Sequence, residues 1–309
     1  MTTVADIMKN ARRLGIGVPA FNIPYLPMME PVCKAVADAG SFALIEVARL
    51  EWMKFESKSL AAVAEEFARW QNPQHVRLHL DHVPVIDEDH ALVDYIAIIR
   101  EAIALGYESV MVDGSRLPLA DNIAATAAVA DVAHAAGRPV EAELGAVMGH
   151  EAGPMPPYEE LFASGKGFTD VDEARRFAQE SGCDWLSVAV GNIHGAIAAG
   201  ARDQKKVRAR LNLERLEMLS EATGIPLVLH GGSGIGQEYV LGAFRKGITK
   251  VNVGTEIRQA YEQALRQGDA GQADMTGHAQ EAVYRRTTEL LRDFFGIAGS
   301  AAALTRAAA

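Results

Sequence analysis

The sequence predicts an α/β chain folded as a (β/α)8 TIM barrel with an N-terminal helix and a C-terminal helical extension, and three observations predict it. Eight apolar runs rich in β-branched residues recur along 309 residues. Segments of helical period separate them, several closing on a glycine where a C-cap belongs. The length also suits a barrel of about 250 residues with helical additions at both ends. A doubly wound parallel sheet is the alternative arrangement of the same units.

The opening stretch MTTVADIMKNARRLG reads as a polar helix, not a signal peptide. The strand runs follow as VPAFNI (18–23), FALIEVA (42–48), VRLHLDH (76–82), ESVMVDG (108–114), VEAELG (140–145), WLSVAV (185–190), PLVLHGG (226–232) and ITKVNVG (248–254). Between them lie MMEPVCKAVADAG, SLAAVAEEFARW, HALVDYIAIIREAIALG, NIAATAAVADVAHAAG, VDEARRFAQESG, LERLEMLSEATG and EYVLGAFRKG, and AQEAVYRRTTELLRDFFG supplies the extension. No composition break divides the chain, so residues 1–309 are expected to form one domain, with the Ala-rich end from about 298 to 309 a frayed tail. The longest connections, 146–169 and 191–211, both follow strand ends, where long loops are usually functional.

At 49% hydrophobic and 23% charged, the composition excludes a disordered or fibrous chain. No run approaches a membrane span, and a cytoplasmic location is expected. Forty acidic against 30 basic residues give a net charge of -10, which disfavours nucleic acid and anionic membrane as partners. Cys33 and Cys183 each stand alone among apolar neighbours and are expected to be buried reduced thiols.

Catalytic groups of a barrel gather at the C-terminal ends of its strands. The polar residues fall there: Asn22, Asp81 and His82, Asp113, Glu141 and Glu143, Asn192 and His194, His230, and Asn252. Three imidazoles, His82, His194 and His230, match a zinc site with one coordination position open to substrate. A lone histidine is more often a structural group, and His75, His90, His134 and His278 keep that reading. His79 shares a strand face with Asp81 and is expected to be packed in the barrel rather than bound to metal. In LHGGSG (229–234), Gly231 and Gly232 let backbone amides approach an anion, and Ser233 adds a hydroxyl, so a phosphate could sit at the following helix N-terminus. A tight strand-to-helix connection explains the same glycines equally well.

Taken together, these residues resemble the class II, metal-dependent ketose-bisphosphate aldolases, which include fructose- and tagatose-bisphosphate aldolases. The likeness runs from PAFNI (19–23) through VMVDGSRLP (110–118) to KVNVGTEI (250–257), and its strongest stretch is EAELGAVMGHE (141–151). HLDH, GNIHG (191–195), LHGGSG and NVGTE (252–256) match in the same order. The resemblance implies a carbon–carbon lyase that cleaves a ketose phosphate reversibly to dihydroxyacetone phosphate and an aldehyde through a metal-stabilised enediolate. It implies that His82, His194 and His230 bind Zn2+, with Glu143 an alternate ligand. Asp81 would act on the C4 hydroxyl, and Glu151 would exchange the proton of the carbon that becomes the enediolate. Asn22, Gly195, Gly231, Gly232, Ser233, Asn252, Gly254 and Thr255 would hold the substrate and its phosphate, Gly195 also belonging to a loop that takes a monovalent cation, Na+ or K+. A homodimer or homotetramer acting on a small sugar phosphate is expected.

Several positions depart from the family. Val83 follows HLDH where a small residue or His is usual, and Arg116 replaces a frequent His. EVARLEWM (46–53) replaces a stretch that is commonly small and polar and helps to hold the distal phosphate. Arg49, Arg285 and Arg286 are candidates for the arginine offered to that phosphate, with Arg49 expected to pair instead with Glu46 or Glu51. The expectation is an aldolase that keeps the dihydroxyacetone phosphate half-site but takes a distal portion that need not be phosphorylated. Lys250 is read as beginning its strand, opposite the mouth, which leaves no lysine for a Schiff base. Two alternatives stand beside this reading: another zinc-dependent barrel lyase or hydrolase, for which the phosphate cradle has no use, and a non-catalytic aldolase-like binding protein, for which the paired acids have none.

Overall fold

Eight parallel strands close in sequence order: β1 Val18–Asn22, β2 Ala43–Ala48, β3 Val76–Pro84, β4 Ser109–Asp113, β5 Val140–Leu144, β6 Trp185–Val188, β7 Leu227–Leu229 and β8 Ile248–Val253, with β8 pairing back onto β1. The structure, a computed structural model, describes residues 2–145, 158–192, 209–232, 234–267 and 274–306. Each apolar run of the sequence is one of these strands. The helices are α1 Val4–Leu14, α2 Met29–Asp38, α3 Arg49–Lys54, α4 Leu60–Trp70, α5 Tyr95–Ala104, α6 Leu119–Ala135, α7 Tyr158–Ser164, α8 Val171–Glu180, α9 Leu213–Thr223, α10 Gln237–Phe244, α11 Thr255–Gln267, α12 Met275–Glu289 and α13 Ala301–Leu304, with a π-helical turn at Leu290–Phe294. Among the described residues no helix is long and apolar enough to cross a membrane.

Strand alternation explains how polar groups sit inside apolar strands. On β5, Val140, Ala142 and Leu144 pack in the main core, while Glu141 and Glu143 occupy the other face. β3 and β8 do the same, with Leu78 and Leu80 or Val251 and Val253 in that core, and His79 and Asp81 or Lys250 and Asn252 inside the barrel. The barrel floor is apolar and is closed by α1. Thr3 and Asp6 cap that helix reciprocally, Gly15 ends it at φ 64, and Val4, Ile7, Met8 and Ala11 pack on Val18, Ala20, Phe42, Leu44, Trp185 and Val228. Full burial of Ile7 and Met8 contributes roughly 1.5–3 kcal/mol each to holding this plug.

Three local features differ from the sequence reading. The segment from residue 298, expected as a frayed tail, is ordered through Arg306. Ala301 and Leu304 are buried against α1, and Asn10 Nδ2 donates to the carbonyls of Leu304 (2.9 Å) and Arg306 (3.0 Å). Small alanines there allow close packing that composition alone does not reveal. Helix α5 starts at Tyr95 rather than His90, because Asp94 accepts from the Ala97 amide and caps it. Finally, α3 occupies the stretch after β2, too short for its period to show in sequence. Of the two long connections, α7 lies in the first; residues 146–157 and 193–208 are outside the described residues.

Candidate active site and metal centre

The mouth of the barrel is built around a register break. Along β3, Leu80 pairs with Val110 but Val83 with Val112, so β3 carries one extra residue at His82, whose φ is 26. Strict alternation would turn His82 away from Asp81; the bulge re-aims it. His82 then lies edge-on to His230, ring centroids 4.4 Å apart, and its Nδ1 is 3.3 Å from Asp113 Oδ2. Asp113 is itself fixed by the Ser115 amide and hydroxyl at 3.0 and 2.6 Å.

His230, at the end of β7, is gripped by two carboxylates. Glu141 Oε1 is 2.7 Å from Nε2 and Glu143 Oε2 is 2.9 Å from Nδ1. Asn192 Nδ2 donates to the His230 carbonyl at 3.0 Å and holds the strand end in place. Asp81 accepts from two amides, Asn22 Nδ2 at Oδ2 and Asn252 Nδ2 at Oδ1, both at 3.0 Å. Gly254 matches this arrangement: a Cβ there would stand 3.3 Å from Asn22 Oδ1. At Gly232 a Cβ would meet Val251 Cγ1 at 2.5 Å, and Gly231 sits at φ 66, so the glycines of the β7 turn serve close packing.

Beneath the mouth lies Lys250, which corrects the sequence reading. Its position early in β8 suggested the far end of the barrel, but its four-carbon stem reaches upward along the inner face. Nζ is 2.9 Å from Glu141 Oε2, 3.1 Å from Glu46 Oε2 and 3.9 Å from Asp81 Oδ1, all wholly or almost wholly buried. Glu46, His79 and Asp81 offer ligand atoms at metal spacing, yet the ammonium group already serves Glu46 and Asp81. His79 is packed in the barrel, its Nδ1 2.8 Å from Ser109 Oγ and its Nε2 3.4 Å from Glu141 Oε2.

The charges bias each other strongly. Burial opposes ionisation of Asp81, but His82, Lys250 and His230 overcome it and hold the carboxyl at about 2. Burial likewise opposes charge on His82 and His230, yet Asp81 raises the first to about 9, and Glu141 and Glu143 raise the second to about 10. Glu141 is held well below the usual carboxylate range despite burial, mainly by Lys250, whereas burial and Asp81 push Glu46 well above it.

These shifts bear on whether a metal fits. Asp81, His82 and His230 present ligand atoms within 4.8 Å of one another, as do His82, Asp113 and Glu143. Both imidazoles are drawn toward the cationic form, so the cluster demands positive charge that one dication supplies in place of two protons. Nitrogen and carboxylate donors suit zinc. Glu141 engages Nε2 of His230, so that Nδ1, on the Glu143 side, would be the nitrogen open to an ion. The residues present therefore fit a divalent ion. His194, Gly195, Glu151 and Ser233 lie outside the described residues.

The distal candidates are not gathered at the mouth. Arg49 pairs with Asp87 at 3.5 Å, rather than with Glu46 or Glu51 as expected. Arg286 pairs with Glu256 and Glu289, and Arg285 is its neighbour on α12. Glu51, expected as a partner of Arg49, is engaged elsewhere. It folds back so that Oε2 accepts the Ala48 amide at 2.8 Å, and it sits beside Asn22. Burial and then Asp81 raise its carboxyl to about 8 against the opposing amide bond of Ala48. The sequence reading missed Lys250, Glu46 and the supporting roles of Glu141 and Asp113. The period-two face shared by Lys250 and Asn252 was the available signal for the lysine.

Fold and mouth together define a (β/α)8 barrel enzyme scaffold with a divalent-metal donor set beside an ionised carboxylate. Comparison with known proteins narrows the class. The family model described as fructose-bisphosphate aldolase class-II matches residues 2–300. The YdjI aldolase from Escherichia coli K12 superposes with a TM-score of 0.76 at 26% identity, covering 97% of this chain and 99% of that one. A putative fructose-1,6-biphosphate aldolase from Coccidioides immitis gives 0.76 at 24%, covering 97% and 98%. The fructose-bisphosphate aldolase from Campylobacter jejuni gives 0.72 at 20%, covering 95% of each chain. The last two speak to fold alone. The chain belongs to the class II fructose-bisphosphate aldolase family, a family of lyases.

Proposed function

We propose that this protein is a zinc-dependent aldolase that cleaves a ketose phosphate reversibly to dihydroxyacetone phosphate and an aldehyde. The observation that carries this reading is Asp81, an ionised carboxylate fixed by Asn22 and Asn252 beside His82 and His230. Such a group can take the proton of the hydroxyl on C4 as the C3–C4 bond breaks. His82, His230 and His194 would hold the zinc, with Glu143 as an alternate ligand. When bound, the ion stabilises the negative charge that develops on the ketone oxygen of the dihydroxyacetone portion.

The chain's own groups supply the rest. Glu151, by its place in the family motif, returns the proton to C3 of the donor half. Backbone amides of Gly231, Gly232 and Gly254, with Ser233 and Thr255, receive the donor phosphate at the α10 and α11 side of the mouth. Gly195 contributes to the same phosphate region and to a site for Na+ or K+. Lys250 forms no Schiff base: burial opposes its charge, but Glu141 and Glu46 outweigh it and keep the ammonium protonated beneath Asp81. A homo-oligomer completes the proposal.

The test is proton exchange at C3 of dihydroxyacetone phosphate in deuterated water, followed by NMR on zinc-loaded protein. Exchange that requires zinc and Glu151 but survives Asp81→Ala supports the assignment, since Asp81 acts only on C–C bond cleavage. Folded, zinc-bound protein that exchanges nothing would overturn it.

A further inference from the structure

We propose that Glu51 is a specificity-determining residue, one that makes the wall beside Asp81 a receptor for a hydroxylated, unphosphorylated aldehyde portion of the substrate. The inference rests on the assignment of Asp81 to the C4 hydroxyl and names what lies beyond that atom. The phosphate-receiving turns of β7 and β8 occupy one side of the mouth. Following the closed strand order through β1 leads to β2 and α3, and it is to this wall that we assign the remainder of the ketose.

On that wall the Ala48 amide and the Arg49 guanidinium are already in use. Glu51, only 9% exposed, seats Oε2 on the Ala48 amide at 2.8 Å. It also sits beside Asn22, whose amide reaches Asp81 Oδ2 at 3.0 Å, so Asn22 stands between α3 and the reacting carboxylate. A bound phosphate needs amide donors or a guanidinium turned toward it. Arg49, the next residue, is turned instead to Asp87, whose side chain is fixed by the amides of Asp89 and Ala91 and whose carbonyl accepts from Arg116 Nη1 at 2.6 Å. A phosphate approaching Glu51 therefore meets a carboxyl in either protonation state: ionised, it repels; neutral, it still holds the amide. A hydroxyl meets no such conflict, because it can donate to or accept from Glu51 and Asn22 as needed. The substrate class is thus a ketose 1-phosphate with free hydroxyls past C4.

The experiment is aldol condensation of dihydroxyacetone phosphate with glyceraldehyde and with glyceraldehyde 3-phosphate, comparing kcat/KM for wild type, Glu51→Gln and Glu51→Ser. Wild type is expected to prefer glyceraldehyde by at least about 10-fold, the scale on which a pocket that leaves a polar group unmatched discriminates. Glu51→Ser frees the Ala48 amide and should shift the ratio toward the phosphorylated aldehyde by at least about 10-fold, chiefly through KM, while Glu51→Gln retains most of the preference. Wild type that uses glyceraldehyde 3-phosphate as well as glyceraldehyde, or an unchanged ratio in Glu51→Ser, overturns the proposal. Proton exchange on dihydroxyacetone phosphate, measured on the same preparations, separates the two levels. Intact exchange with an unchanged ratio removes only the role of Glu51, whereas wild type without exchange removes the aldolase reading as well.

Discussion

The Nζ of Lys250 lies 2.9 Å from Oε2 of Glu141, with both side chains wholly buried. The same ammonium reaches Glu46 at 3.1 Å and Asp81 at 3.9 Å, so one cation answers the carboxylates of Glu141 and Asp81 and the neutral acid of Glu46 in a medium that screens poorly. Such pairs are weak sources of stability when intact but costly when broken, because the surviving charges stay buried. Lys250→Met should therefore lower the free energy of unfolding by about 3–5 kcal/mol. Glu46→Gln should cost less, since burial already favours the neutral acid there. Urea denaturation of the three proteins measures both, and equal losses would contradict this account.

Glu141 also links the buried lysine to the candidate metal donors, through Oε1 at 2.7 Å from His230 Nε2. A partner of this kind fixes the ring and the tautomer of a ligand without touching the ion. Glu141→Gln should weaken zinc binding by roughly 10–100-fold, less than His230→Ala, by analogy with other carboxylates behind metal-binding histidines. Competition against a chelator of known affinity would read this directly. Unaltered affinity in Glu141→Gln would mean that Glu143 alone orients the imidazole.

Cys33 and Cys183 test the packing away from the mouth. Burial raises both thiols to about 12, and they are only 4% and 6% exposed. Since the thiolate is the reactive form, neither should react with a disulfide reagent at pH 8 in the native protein, while both should react in denaturant. Rapid native labelling of either one would show that its surroundings open readily.

Much of the mouth was legible because strand period and residue type coincide. Asp81, Glu143 and Asn252 fall on inward positions, and each strand end sits where an apolar run stops. What escaped the sequence were relations that depend on side-chain reach and register. Lys250 is low in its strand by backbone position but arrives beneath Asp81 by the length of its stem. His82 points inward only because β3 carries an extra residue, a break that no periodicity in HLDH announces. Glu51 read as a partner for Arg49. Its carboxyl is instead tied to the backbone three residues earlier, a local bond that requires α3 to exist.

Glu51 also gives the clearest pH prediction. Burial, reinforced by Asp81, raises its carboxyl from 4.5 to about 8 in the folded chain. Between those values the folded state holds a proton that the unfolded state has released, so the unfolded state binds fewer protons and stability falls as pH rises. The contribution of the neutral acid is full below about pH 4.5 and is lost by about pH 8. Glu51→Gln cannot ionise and should remove this slope, leaving the variant more stable than wild type at pH 9 by roughly 4 kcal/mol relative to their difference at pH 5. Urea denaturation at the two pH values provides the comparison. A wild-type minus variant difference that stays constant from pH 5 to pH 9 would show that Glu51 ionises normally in the folded protein, with solvent or a cation reaching it beside Asn22.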